Sequence, residues 1–393
     1  MSGLFAALAL SRCGWDVHVF ERVESELAGR GAGIVAQPQL WEVFANVGID
    51  SPSELGVPVE VRRSYDVDGH LMGEIRRPQT LTSWDRIYRL LRDAFPAARY
   101  HRGKALGRVE MRARSVLAHF LDGETIEGDL LVGADGLRST VRAQVLPEAV
   151  PLYAGYIAWR ALVPEAALSP AAHHDLFGYM AFCHPPGEQM LGYPVAGPDN
   201  DLRPGHRSYN LVWYRPADED SELPQLLTDA TGTTHSVSIP PPLIRREVID
   251  QMRTAAERLV APQFREVVHV AAQPFIQPIY DMAAGKMAFG RVAILGDAAF
   301  VARPHVAVGV AKAAEDALAL AQSIDECGDV GRGLARFEAV RLPVGRRVIE
   351  RARHLGAYLQ SRARSREERL RAEKHRAPAA VMAETAVLDF LRE

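Results

Sequence analysis

GRVAILGDAAFVARPHVAVGVAKAAEDALALA, residues 290–321, is the stretch on which the fold turns. Residues 292–295 form a short, unbroken apolar run that stops at Gly296-Asp297. Such a run, bounded by a turn signal, predicts a strand buried on both faces, as in the parallel sheets of α/β proteins. VGVAKAAEDALALAQSI, from Val308, predicts an alanine-rich helix able to pack closely on its neighbours.

The same order of elements recurs upstream. DLLVGADGLRSTVR, residues 129–142, predicts a buried strand, a carboxylate at Asp135 beside Gly136, and a helix after it. At the amino end, residues 2–12 place apolar side chains at helical spacing and Gly14 can stop the helix. WDVHVFER, 15–22, then alternates as a strand closing on Glu21. A helix and strand in this order form the second half of a βαβ unit. In a dinucleotide fold the acid ending that strand accepts hydrogen bonds from ribose hydroxyls, and Glu21 is placed for the role. The strand and glycine-rich turn that open such a unit are expected ahead of Met1. Without that strand its neighbours would expose unpaired edges.

Between these segments, residues 29–49 predict a glycine-punctuated loop entering a helix, and 59–75 a hairpin turning at Asp68-Gly69. SWDRIYRLLRDAFP predicts an amphipathic helix ending before Pro96, and a second hairpin turns at Asp122-Gly123. From Pro151 to Pro274 the texture changes to aromatic strands broken by Pro and Gly, with one helix-leaning stretch at 243–260. REERLRAEKHR, 366–376, reads as a solvated helix face.

Composition sets the class. The 393 residues are 48% hydrophobic and 24% charged, which suits a soluble globular chain of one large or two interleaved domains. A formal charge of -3 offers no broad attraction to nucleic acid or anionic membrane, so a small molecule is the expected partner. Cys13, Cys183 and Cys327 are too scattered for a disulfide framework or a metal cluster, which suits a reducing cytoplasm. The 13 histidines show no metal-ligand spacing, and His173-His174 reads as a solvated pair in a proline-flanked loop. Leu4 to Leu10 is apolar, but no basic residue precedes it and Arg12 stands where a leader has a small residue.

Taken together, the strand-end motifs resemble those of the FAD-dependent aromatic hydroxylases, single-component flavoprotein monooxygenases of the para-hydroxybenzoate hydroxylase type. The resemblance spans the chain to about residue 355. It implies an α/β fold: a Rossmann-like FAD-binding domain over 1–66, 83–150 and 275–355, its first strand missing here. Interleaved with it are a mainly β substrate domain over 67–82 and 151–274 and a helical tail over 356–393. GADG matches the family's DG motif and GDAA its GD motif. Gly3 takes the place of the last glycine of GxGxxG. The implied FAD contacts are Gly3, Glu21, Arg22, Gly33, Asp135, Gly136, Arg142, Gly296, Asp297, Pro304, Gly309 and Val310.

In the family the helix after Pro304 points its N-terminus at the flavin pyrimidine edge, where free N–H groups and the helix dipole favour the reduced, anionic ring. Ala307, Val308 and Ala311 stand where the common pattern has Gly, Gln and Asn, and Trp84 replaces a common FAD-contacting Arg. With GAGIVAQPQLW, SWDRIY and the RPH segment, these departures resemble the 2,6-dihydroxypyridine 3-monooxygenase subgroup. The implied chemistry is reduction of FAD by NADH or NADPH, a flavin C4a-hydroperoxide formed with O2, and oxygen transfer to an electron-rich ring. A non-hydroxylating flavin oxidoreductase shares the FAD motifs and stays open, as does a chain unable to hold FAD; a homodimer is compatible with either. Candidate pocket residues are Tyr156, Arg160, Tyr179, His184, Tyr193 and Trp213, each also readable as core. His305 and Arg303 are the catalytic candidates: His305 either shares a substrate proton or bonds a loop carbonyl, and Arg303 can pair with a carboxylate.

Overall fold

The computed structural model describes residues 1–27, 33–50, 55–362 and 365–391. Among these residues a nine-stranded sheet forms the frame. Edge to edge it runs through Phe300–Val301, Phe275–Ala283, Leu152–Pro164, Ser208–Pro216, Gln189–Val195, Tyr179–Cys183, Val57–Tyr65, Leu71–Ser83 and Gly33–Ala36. Tyr179–Cys183 pairs in parallel with Val57–Tyr65, and the other neighbours are antiparallel. The aromatic stretches thus make the middle of one sheet, and Val57–Tyr65 enters it beside the hairpin partner expected from Asp68-Gly69. Gly69 has φ +93°, which a side chain would oppose.

Alternation gives this sheet two chemically distinct faces. Trp159, Cys183, Met190 and Trp213 point to one side, where Arg246–Leu259 and Pro262–Val270 cover them. Tyr156, Ala158, Leu191, Tyr193, Val212 and Tyr214 point to the other. There they meet Leu359, Val381, Met382 and Ala386 from the end of the chain.

The α/β part packs against an edge of that sheet. In Ser2–Arg12 every residue from Leu4 to Leu10 is buried, and the helix lies on the alanine-rich helix Gly309–Cys327. Small side chains on both let the backbones approach. Val19–Glu21 pairs in parallel with Tyr100–Arg102, a shorter strand than the 15–22 alternation predicts. Leu131–Gly133 pairs in parallel with Val292–Ile294, and all three residues of the latter are buried. These two parallel pieces share no ladder among the described residues.

Helix starts follow capping chemistry. Ser83, Ser139, Ser169 and Asp329 each accept a bond from the N–H three residues on. Ser169 followed by Pro170 therefore starts a helix, Pro170–Leu176, where the sequence reads a loop around His173-His174. His173 Nε2 lies 2.8 Å from Glu165 Oε1. The tail also departs from expectation. Arg366–His375 is mostly exposed, but His375 is buried and its Nδ1 lies 2.7 Å from Glu384 in the next helix, Pro378–Glu384.

Candidate active site

Strand ends and helix starts converge where the two parts meet. Gly296 has φ +61°, and a Cβ there would lie 2.7 Å from the Cβ of Ser2. Gly3 packs on Ala134, at 3.4 Å from where its own Cβ would stand. The DG and GD turns thus both meet the amino end of Ser2–Arg12.

Within the DG turn, Gly136 has φ +75° and open space where a Cβ would sit. Asp135 is taken up locally, accepting from Ser139 Oγ and from Val141 N at 3.1 Å. Arg142 is buried and spends its donors on carbonyls: Leu137 at 2.6 Å, Ala149 at 3.1 Å and Ala298 at 3.1 Å. It stitches the DG turn to the GD turn.

The connection after the GD turn is a short 3-10 segment, Pro304–Val306, closed by Ala307 at φ +49°. A left-handed alanine is strained by roughly 1 kcal/mol. Ala307→Gly is therefore expected to raise stability by about 0.5–1 kcal/mol in chemical denaturation, less whatever glycine's looser unfolded chain takes back. Gly309–Cys327 follows without a side-chain cap. The first helical bond runs from Lys312 N to Val308 O at 2.7 Å, which leaves the N–H groups of Gly309, Val310 and Ala311 free of intrahelical partners.

His305 hangs from this segment at 2% exposure. Its Nε2 lies 2.8 Å from Tyr156 Oη, and its ring centroid is 4.6 Å from that of Tyr214. Nδ1 has no protein partner among the described residues. Burial, helped by the Arg303 charge, lowers the His305 pKa to about 3, and burial likewise raises that of Tyr156. The pair is therefore neutral at working pH. Room for it comes from Gly356, where a Cβ would lie 2.5 Å from Tyr156 Oη and 3.0 Å from His305 Nε2. Gly356→Ala is expected to push the pair apart and cut turnover about tenfold or more, read as a fall in kcat with FAD content unchanged.

Arg303 is fixed by a carboxylate, as one of its two sequence readings has it. Its Nε donates to Asp281 at 2.7 Å, and Arg353 donates to the other oxygen of Asp281 at 2.6 Å. The remaining candidates separate by face. Arg160 lies on the His305 side, bonded to Gln277 at 2.8 Å, with its Nε buried and unpartnered. Tyr193 is there too, and burial raises its pKa to about 12. Its ring and Asn210 fill the space where Gly33 has no side chain, and Gly33 N donates to Asn210 at 2.9 Å. His184 stacks on Phe182, and burial lowers its pKa to about 4. Trp213 and Tyr179 are not brought to the His305 side, because alternation turns them to the opposite face. Trp213 bonds Glu188 at 2.7 Å there, and Tyr179 carries Arg63 over its ring.

The face that carries this pair is covered by a layer that the sequence does not announce. Ala386 N donates to the His305 carbonyl at 2.8 Å. Arg62, fully buried, donates from Nη1 to the carbonyls of Met382 and Thr385, each at 2.7 Å. The C-terminal segment thus lies directly on the His305 turn. No signal short of the tertiary contacts marks Arg62, since it alternates as an ordinary strand residue.

Known proteins resemble this chain along most of its length. Residues 153–281 match a family model described as FAD binding domain-like. The 2,6-dihydroxypyridine 3-monooxygenase of Paenarthrobacter nicotinovorans is 32% identical over 364 residues, covering 92% of this chain and 89% of that protein. The chain belongs to the FAD-dependent aromatic hydroxylases. The 3-amino-4-hydroxybenzoate 2-monooxygenase of Streptomyces cremeus is 31% identical and covers 90% of this chain and 84% of its own. The solved 2,6-dihydroxypyridine-3-hydroxylase of Arthrobacter nicotinovorans superposes with a TM-score of 0.86 at 30% identity, over 93% of each chain.

The site fits the cofactor of a FAD-dependent aromatic hydroxylase. Asp297 and Gly309 are exposed, Gly136 and Gly309 have empty space at the Cβ position, and the helix start offers uncapped donors. Glu21 folds back to accept from Val23 N at 2.9 Å with one oxygen. Arg22 is exposed, and the glycine loop before Gly33, residues 28–32, lies outside the described residues. No described helix is long and apolar enough to cross a membrane.

Proposed function

We propose that this protein hydroxylates a small hydroxylated nitrogen heteroaromatic of the 2,6-dihydroxypyridine kind, using FAD, NADH or NADPH, and O2. The observation that carries this reading is the neutral His305–Tyr156 pair, buried among aromatic rings beside the uncapped helix start. FAD, once bound and reduced, supplies the activation of O2. The chain's own residues prepare the ring.

Tyr156 O–H donates to His305 Nε2, which leaves the imidazole proton on Nδ1. Nδ1–H then donates to a ring oxygen and favours its anionic, electron-rich form. Arg160 and the hydroxyl of Tyr193 orient the ring from the sheet side, and Arg303 holds the turn through Asp281. Glu21 takes the ribose hydroxyls, Asp297 the ribityl chain, and the N–H groups at Gly309 and Val310 the flavin edge. In this division residues 1–66, 83–150 and 275–355 hold FAD, while 67–82 and 151–274 present the ring. Unpaired Cys13, Cys183 and Cys327 suit a cytoplasmic setting.

The test is oxidation of NADH or NADPH by FAD-loaded protein across dihydroxypyridines, hydroxynicotinates and phenols, with products identified by mass. Hydroxylated pyridine formed in step with nicotinamide oxidation is the expected result. Reductant consumption that no aromatic stimulates would refute the reading.

A further inference from the structure

Beneath the GD turn lies a cluster of charges to which no role has yet been given. Lys312, 2% exposed, donates from Nζ to the Gly296 carbonyl at 3.0 Å and to Asp316 Oδ2 at 3.2 Å. Asp316, also 2% exposed, accepts the Gly296 N–H at 3.2 Å through that same oxygen. Its Oδ1 accepts from Arg341 Nε at 2.7 Å, and Arg341 Nη2 reaches Glu315 at 3.1 Å. Gly296 is left-handed and outside any ladder. Both of its backbone polar groups are held by one i,i+4 pair from the helix that starts at Gly309.

Stability is a weak reason to build this. Buried ion pairs are often no better than apolar packing of the same volume, because desolvation cancels the attraction. What the cluster does supply is a fixed distance. The turn that presents Asp297 and the helix start that presents three free N–H groups are tied by Lys312 and Asp316 into one rigid unit.

We propose that Lys312 is a positioning residue for the cofactor: it locks the Gly296-Asp297 turn to the first turn of Gly309–Cys327, and its ammonium adds positive charge at the helix end that receives the flavin. This rests on the FAD-dependent reading above. A fixed cation near the ring favours the reduced, anionic form, so the residue sets both affinity and reduction potential. Asp316 completes the lock, and Arg341 supplies the second cation that lets Asp316 stay ionised: burial pushes its pKa up, but the two cations hold it below the usual range.

The experiment compares wild type with Lys312→Met, Lys312→Gln and Lys312→Arg. FAD affinity is measured by fluorescence titration of apoprotein, the midpoint potential of bound FAD by dye equilibration, and the thermal midpoint of each apoprotein reports folding. Lys312→Met is expected to weaken FAD binding about tenfold or more, the loss of one charge-assisted hydrogen bond, and to move the potential negative. Lys312→Arg keeps the charge and is expected to recover the potential more than the affinity. Lys312→Gln, which retains a donor, carries the test if the methionine variant does not fold. Wild-type affinity and potential in the neutral variants would overturn the proposal. So would a loss of affinity that merely tracks a lower apoprotein midpoint at unchanged potential. Wild-type apoprotein that takes up no FAD sinks the functional reading and this role together, whereas normal uptake with indifferent variants removes the role alone.

Discussion

Exchange of His305 for Gln is expected to leave FAD uptake intact and to slow ring hydroxylation about 10²-fold, the usual loss when one preorganised donor to a developing charge is removed. Gln places its amide near the Nε2 position and keeps a partner for Tyr156 Oη, 2.8 Å away in the native protein, but offers nothing at Nδ1. His305→Asn places its amide near Nδ1 instead and is expected to retain part of the rate. Equal losses in both variants would mean that the imidazole is only filling space. The same residue has a pH signature. Its pKa is about 3 in the fold against 6.5 in an unfolded chain, so between these values the unfolded state binds the extra proton. Stability contributed by neutral His305 is full above pH 6.5 and falls by about 1.4 kcal/mol per unit as pH drops below it. His305→Gln is expected to show a shallower acid decline in thermal midpoint than wild type.

Loss of Arg62 is expected to detach the end of the chain. Its Nη1 serves the carbonyls of Met382 and Thr385, and bonds to a charged donor contribute about 1.5–3 kcal/mol each. Burial, with Arg77 nearby, pulls the Arg62 pKa down to about 9, and its Nη2 has no partner among the described residues, so the site already bears a desolvation cost. Arg62→Met fills most of the volume while removing the donors. The expected outcome is rapid proteolytic clipping beyond residue 376, with overall thermal stability reduced far less. Because Ala386 rests on the His305 carbonyl, its departure is expected to admit water to the His305–Tyr156 pair. Nicotinamide oxidation should then continue while hydrogen peroxide replaces much of the hydroxylated product. Full coupling in a variant whose tail is clipped would show that the segment plays no part in excluding water.

Much of the frame was legible because it rests on local rules. Left-handed glycines mark both hairpins, SWDRIYRLLRDAFP is a helix that starts after Ser83, and the apolar run at 292–295 is a buried strand. The position of His305 could be read from its place between the GD turn and the alanine-rich helix. What it touches could not, because Tyr156 and Gly356 are distant in sequence. Facing was the second obstacle. Tyr156 and Trp213 look alike as aromatic strand residues, and only the register, which pairs Trp159 with Trp213, puts them on opposite sides. REERLRAEKHR is the largely solvated helix its polarity predicts, but the contacts that seat the end of the chain lie beyond it, at the main-chain carbonyls of Met382 and Thr385, which carry no residue signature.

The two-faced sheet also bears on how such a protein tolerates change. Ala158, Leu191, Tyr193, Val212 and Tyr214 pack toward the end of the chain, whereas Trp159, Met190 and Trp213 anchor the helical layer behind. Two covering layers of different origin are thereby written on alternate letters of the same strands. A change on one set disturbs the layer it packs against and leaves the contacts of the other in place, so each layer can be remodelled while the strands between them hold their register.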